Sequence, residues 1–372
     1  MSEPRVRLYG HAKGESSFPQ VTRGMERALR VADEFAGFCS LEATDDSDAV
    51  IDTGFEAPIS LNCGNPMGLV RAHQMGLHRS HWLLLAPNGE TLPHGFVEAL
   101  TETSSVLPKG MLTGGLLAPS GWAASVLRRL FPSFPVVIAP HGVSPEIHHP
   151  DPAARNAPRI AYGLGQFNVL HMTSSETERK GTKLLLSAWR QAKRSGWLPA
   201  QAKLFVTMNP VHMNKLRWWC SEFDLTEQDV LITPGLTYGQ GGVAAMYRTM
   251  HAICQPSRGE GFGMVPLEAL ACGVPVIATS CTGHTEWLLP GLPGTVVVPH
   301  GADAPMDDFP GSMAPTVTAS AIADALARAY ANWQALADAA ETHASAIGAE
   351  WSWEAKNIPA IRRMIKETEE HA

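Results

Sequence analysis

PSRGEGFGMVPLEALACGVPVIAT, residues 256–279, decides the reading of the whole chain. Gly259, Gly261 and Gly263 allow a tight turn and bring bare N–H groups close to a ligand. Pro266 suits the first turn of a helix, where its missing N–H costs nothing. Gly273 ends that helix, and Val274 to Ala278 is a short apolar strand. The order is strand, glycine loop, short helix, strand, and the helix start attracts an anion. Glu260 stands on the loop and Glu268 near the first helical turn, eight residues later. A loop carboxylate can reach the reacting end of an elongated ligand while one on the helix accepts hydrogen bonds from a diol further along. The competing reading makes Glu260 a solvated charge and Glu268 a helix-dipole partner.

Upstream, ETERKGTKLLLSAWRQA (176–192) places Arg179 and Lys180 before Gly181. Thr182 is expected to cap a helix running to Arg194, whose Leu185, Leu186 and Trp189 face a sheet. Cations at a helix N-terminus are electrostatically awkward unless an anion lies between them and the dipole. A diphosphate is one such anion; an exposed basic turn is the alternative.

Around these segments, short Val/Ile/Leu runs alternate with amphipathic stretches, the pattern of buried parallel strands and helices. Strands are expected near 6–9, 49–51, 59–61, 81–86, 115–118 and 136–139, with helices around 22–32, 95–100 and 121–130. The proline-rich stretch 140–158 interrupts the rhythm, which restarts with strands near 169–172, 203–208, 230–233, 252–255 and 274–279. The expected fold is α/β, with two doubly wound Rossmann-like domains facing across a cleft. Its parts are residues 1–142 on the acceptor side, a 143–158 linker, 159–350 binding the donor, and a 351–372 helix crossing back to the first domain. Residues 301–316 read as an irregular insertion, and Ile322, Leu326, Tyr330, Trp333 and Leu336 as the stripe of one covering helix.

Composition narrows the class. The 372 residues are 45% hydrophobic, enough for two cores, and the net charge of −7 gives no general footprint for a polyanion. Nucleic acid is a poor partner on that ground. The opening MSEPRVRLYG lacks a leader pattern, and no run reaches the ~18 apolar residues of a membrane span. The expected location is cytoplasmic, with peripheral attachment at the inner membrane face as an option. Six cysteines without a C-x-x-C pair read as reduced core residues, and the fifteen histidines show no metal-ligand spacing. No metal and no cofactor are expected.

Taken together, the Glu260-to-Glu268 run and the strand after it resemble the Glu-x7-Glu element of retaining glycosyltransferases of family 4, which have the GT-B fold. The resemblance implies that Glu268 binds the ribose hydroxyls of a nucleotide, and that Glu260 lies by the donor sugar at the reaction centre. It places the backbone of Gly261, Phe262 and Gly263, with Met264 and Val265, beside the sugar and diphosphate. R-K-G-x3-L-L-x-A resembles the family's phosphate-binding element, so Lys180 and Arg179 would neutralise the leaving diphosphate in place of a metal. One departure weakens that site: relatives often carry another Arg where this chain has Ser174 and Ser175.

The resemblance is softer upstream. Gly14 is the close-approach residue after the first strand, and Asn88, Glu90 and His94 are acceptor-side candidates, with ordinary hydrated turns as the alternative. The implied activity is hexosyl transfer from a UDP- or GDP-type sugar to an acceptor hydroxyl with retention of configuration, the retention implied by the family resemblance alone. The acceptor class stays open among glycan, lipid-linked and small-molecule hydroxyls. Competing readings are an epimerase or phosphorylase of the same fold, an inactive nucleotide-sugar-binding protein, and a transferase acting on modified nucleic-acid bases.

Overall fold

The computed structural model describes residues 5–10, 17–40, 50–51, 57, 59–63, 80–87, 114–151, 153, 166–173, 178–234, 239–306 and 312–370. The chain divides into two compact units, Met1–Ser144 with Glu350–Ala372, and Pro145–Ala349.

In the first unit the strands are β1 (Val6–Gly10), β2 (Phe35–Ser40), β3 (Val50–Ile51), β4 (Ile59–Cys63), β5 (Ser80–Leu84), β6 (Gly115–Ala118) and β7 (Val136–Ile138). They form one sheet in the order β3-β2-β1-β4-β5-β6-β7, parallel except for β3, which runs antiparallel on β2. Helix α1 (Ser17–Val31) follows β1, and α2 (Gly121–Leu130) follows β6. The Ser120 hydroxyl accepts the Ala123 N–H at 3.1 Å, satisfying one of the donors a helix start leaves open.

The second unit repeats the plan. Strands β8 (Asn168–Met172), β9 (Lys203–Met208), β10 (Val230–Pro234), β11 (Ala252–Gln255), β12 (Val276–Thr279) and β13 (Thr295–Val298) form a parallel sheet in the order β10-β9-β8-β11-β12-β13. Between them run α3 (Thr182–Arg194), α4 (Met213–Glu222), α5 (Gln240–Thr249) and α6 (Met264–Ala271). Leu185, Leu186 and Trp189 of α3 are buried against Val169, Leu204 and Val206 of the sheet, and each such side chain contributes about 1.5–3 kcal/mol by leaving water. The strand order reverses between β8 and β11, so loops leaving these two strands diverge at a switch point, the place where ligands bind in open parallel sheets.

Several expectations are corrected. Strands β2 and β13 add to the expected set. Residues 301–316 hold an antiparallel pair, β14 (Asp303–Pro305) with β15 (Met313–Pro315). The covering helix is two helices, α7 (Ala319–Ala331) and α8 (Trp333–Glu350), because the chain leaves helical geometry at Asn332, whose side-chain amide donates to Arg328 O. Ile322 and Leu326 are buried as expected, but Tyr330 is exposed. Of the segment expected as a linker, Pro145–Asp151 packs with the second unit, where Arg248 donates to Ile147 O and His149 O. The last helix, α9 (Trp353–Glu370), lies against α1 in the first unit, with Trp353 buried.

Candidate functional site

Two loops meet at the carboxyl ends of β8 and β11. The first carries Arg179, Lys180 and Gly181 into α3; the second runs from Pro256 to Gly263 into α6. Gly181 makes their contact possible: its φ is +70°, and a Cβ there would stand 2.4 Å from Pro256 O. Only glycine accepts both conditions. Beside it, Arg258 N–H donates to Arg179 O at 2.8 Å. Residue Gly181 itself is the N-cap, so the expected capping by Thr182 does not occur. The Thr182 hydroxyl instead lies 3.0 Å from His171 Nε2 and 3.2 Å from Thr173 Oγ1.

The loops enclose an ion cluster. Lys180 Nζ lies 2.6 Å from Glu260 Oε1, and Arg179 reaches Glu260 Oε2 at 3.1 Å. The Ser257 hydroxyl donates to Glu260 Oε1 at 2.8 Å, and Arg179 also donates to Gly259 O at 2.7 Å. The anion that relieves the two cations is thus the chain's own loop carboxylate. Burial alone would raise the Glu260 carboxyl, but Lys180 and then Arg179 oppose it and hold the group well below the usual carboxylate range. Among the described residues, two cations face this one carboxylate. Arg179 is buried at 4% exposure and spent on protein partners, while the Lys180 side chain keeps 16% of its surface.

After the cluster the backbone turns through Gly261, Phe262 and Gly263. Gly263 has φ +86° and is the N-cap of α6, with no side chain capping the helix start. Met264 and Val265 open the helix and are partly exposed. The Phe262 ring is buried, and its carbonyl accepts Trp287 Nε1–H at 3.0 Å. On α6, Glu268 is 3% exposed and its Oε2 accepts the Tyr247 hydroxyl at 2.8 Å. Burial first, then the adjacent carboxylate, keeps that phenol protonated well above its ordinary range.

Behind the cluster, His171 ties β8 to β11 by its Nδ1 proton, given to Cys254 O at 2.8 Å. Burial brings its pKa down to about 4, so it is neutral at physiological pH and Nε2 accepts from Thr182. Arg258 is also spent within the protein: it pairs with Glu178 at 2.5 Å and donates to carbonyls of Ala304, Ala314 and Pro315 on β14 and β15.

Glu260, Arg179 and Lys180 therefore come together, with Gly261, Phe262, Gly263, Met264, Val265 and Glu268 following on the same loop and helix. Gly14, Asn88, Glu90, His94, Ser174 and Ser175 lie outside the described residues, as does the expected helix near 95–100. Tyr247, Ser257, Thr282 and His284 were not singled out by the sequence reading. For Thr282 and His284 the one available signal is placement, since 280–287 follows the carboxyl end of β12. Among the described residues no group of His, Cys, Asp and Glu side chains forms a metal site, and no helix is long and apolar enough to cross a membrane.

Comparison with known proteins bears on this segment and on the fold as a whole. Residues 166–332 match the family model described as Glycosyl transferases group 1. A curated relative, the GDP-mannose-dependent alpha-(1-6)-phosphatidylinositol monomannoside mannosyltransferase of Mycolicibacterium smegmatis, is 34% identical over 178 residues, 46% of this chain and 46% of that protein. The chain thus spans about half the length of this relative. Among solved structures, sucrose-phosphate synthase from Thermosynechococcus elongatus superposes with a TM-score of 0.69 at 16% identity, covering 99% of this chain and 100% of that one. HepE of Anabaena, solved with UDP-glucose, gives 0.67 at 14% identity over 99% and 100%. The chain has the GT-B fold, and within it the segment that carries Arg179, Lys180, Glu260 and Glu268 bears the Glycosyl transferases group 1 pattern.

Proposed function

We propose that the protein is a glycosyltransferase that moves a hexosyl group, mannosyl or glucosyl, from a UDP- or GDP-type nucleotide sugar to an acceptor hydroxyl with retention of configuration. The observation that carries the reading is the Arg179–Glu260–Lys180 cluster at the switch point of a sheet whose segment matches the family. The Mycolicibacterium relative is named as GDP-mannose-dependent, and the Anabaena neighbour was solved with UDP-glucose. Those names support a nucleotide-sugar donor here.

On this reading the diphosphate lies between Lys180 and the open start of α6. Lys180 donates to the phosphate oxygens, and its charge counts most as the sugar–phosphate bond breaks and negative charge gathers on the leaving group. Arg179 holds Glu260 and the loop in register. Glu260 faces the sugar, and Glu268, oriented by Tyr247, accepts from the ribose hydroxyls. Each charge-assisted bond contributes about 1.5–3 kcal/mol.

The test is thermal stabilisation and calorimetric titration with UDP-glucose and GDP-mannose. Saturating binding by one of them is expected, with stabilisation rising with free ligand. A chain that binds neither sugar nucleotide nor its free diphosphate overturns the proposal.

A further inference from the structure

Beyond the cluster itself, the turn after β12 grips the catalytic loop from below. Glu260 N–H donates to Thr282 Oγ1 at 2.9 Å, and Gly283 N–H donates to Glu260 O at 2.8 Å. Both polar groups of the Glu260 backbone are thereby fixed by two consecutive residues of another segment. Further along, Trp287 Nε1–H holds Phe262 O at 3.0 Å, so the clasp spans the loop from 260 to 262.

Contacts this close are possible because side chains are missing where backbones meet. A Cβ on Gly283 would stand 2.3 Å from Gly261 C, and one on Gly263 would stand 2.1 Å from His284 Cδ2. His284 is fully buried, and its Nδ1 meets Thr279 O at 2.8 Å, which locks the ring beneath Gly263. Thr282 has φ +48°, a left-handed conformation that β-branched residues rarely adopt. A strained residue persists where its surroundings over-determine it, and here the Thr282 hydroxyl and the next N–H both bond the Glu260 backbone while Thr285 Oγ1 donates to Thr282 O.

We propose that Thr282, supported by Gly283 and His284, is a positioning residue that sets the Glu260 carboxylate against Lys180. This deepens the glycosyltransferase reading and rests on it for the catalytic consequence. The geometric claim stands apart from it. Valine in place of Thr282 keeps the β-branched shape and the backbone demand while removing the acceptor for Glu260 N–H; serine keeps the acceptor.

The experiment compares crystal structures of wild type, Thr282→Val and Thr282→Ser, and measures kcat and KM for donor turnover, including donor hydrolysis. In Thr282→Val the carboxylate is expected to shift by about 1 Å from its place on Lys180, with kcat falling about 10–100-fold and KM changing much less. Thr282→Ser should retain both the geometry and the rate. If the carboxylate of Thr282→Val stays in place, or if Thr282→Ser loses the rate as fully as Thr282→Val, the positioning role is overturned. If wild type binds no nucleotide sugar, the glycosyltransferase reading fails instead, and the crystallographic comparison still decides the geometric claim. An unfolded Thr282→Val is covered by Thr282→Gly, which removes the same acceptor while suiting the left-handed backbone at φ +48°. A shifted carboxylate there with a lowered kcat supports the role; an unmoved carboxylate overturns it.

Discussion

Lys180 Nζ lies 2.6 Å from Glu260 Oε1 across 80 residues of sequence, and both side chains are largely withdrawn from water. Each is the other's partner before any ligand arrives. A site built this way holds its charges ready at fixed positions, and a bound diphosphate would compete with Glu260 for the same ammonium group.

Removing one member of the cluster should therefore cost more than removing two. Glu260→Gln leaves two buried cations without their carboxylate and is expected to destabilise by about 3–5 kcal/mol. Combining it with Lys180→Met should recover part of that loss. Urea unfolding of the two single variants and the double variant at neutral pH measures the coupling; additive losses would mean that the pair is not energetically linked.

The pH dependence has a definite sign. Because the Glu260 carboxyl is held below its unfolded value of about 4.3, its contribution to stability is fully present above that value. It is lost as pH falls toward the lower folded value. The stability gap between wild type and Glu260→Gln should thus be constant from pH 8 to about 6 and shrink below about pH 4.5. Chemical denaturation across that range, at fixed salt, is the measurement.

Gly263→Ala meets two penalties, the left-handed backbone at φ +86° and the His284 ring. The backbone part alone is about 1–2 kcal/mol. Pairing the change with His284→Ala should relieve the steric part and leave the backbone part. Melting temperatures of the single and double variants would separate the two, and an unchanged melting temperature in Gly263→Ala would contradict the described backbone.

Tyr247→Phe removes the hydroxyl that holds Glu268 Oε2. A bond to a charged partner is worth about 1.5–3 kcal/mol, and on the proposed function that loss should appear mainly as weaker donor binding. Titration calorimetry with UDP-glucose and GDP-mannose, alongside kcat, tests it. A kcat loss at unchanged affinity would move Glu268 away from the ribose.

How much of this was legible in the sequence differs from element to element. Helices α2 and α3 are legible at their observed bounds because apolar spacing marks them locally, although the cap expected at Thr182 falls on Gly181. Strand β13 was open to the same treatment, being a Val-rich run after Gly294, but β2, FAGFCS, alternates neither by size nor by polarity. The break at Asn332 is hidden in the sequence because the apolar stripe continues across it from Leu326 to Leu336. At the site, Arg179, Lys180, Glu260 and Glu268 were readable as chemistry from their order within two short motifs. Their pairing was not, since the anion expected between the cations was a ligand and the nearest one proved to be a residue of the other loop. Thr282 and His284 carry no periodic signal at all. A hydroxyl and an imidazole in a turn acquire meaning only when the fold lays that turn under Glu260.

Helix α9 completes the first unit from the far end of the chain. Trp353 sits so tightly on α1 that a Cβ at Gly24 would stand 2.0 Å from its ring, and it meets Gly142 as well. During synthesis, α1 and the sheet behind it must wait for more than two hundred residues before that indole emerges from the ribosome. The intervening unit, which is contiguous from Pro145 to Ala349, can mature first. A nascent chain stalled before residue 353 would leave an unfilled indole-shaped notch on α1.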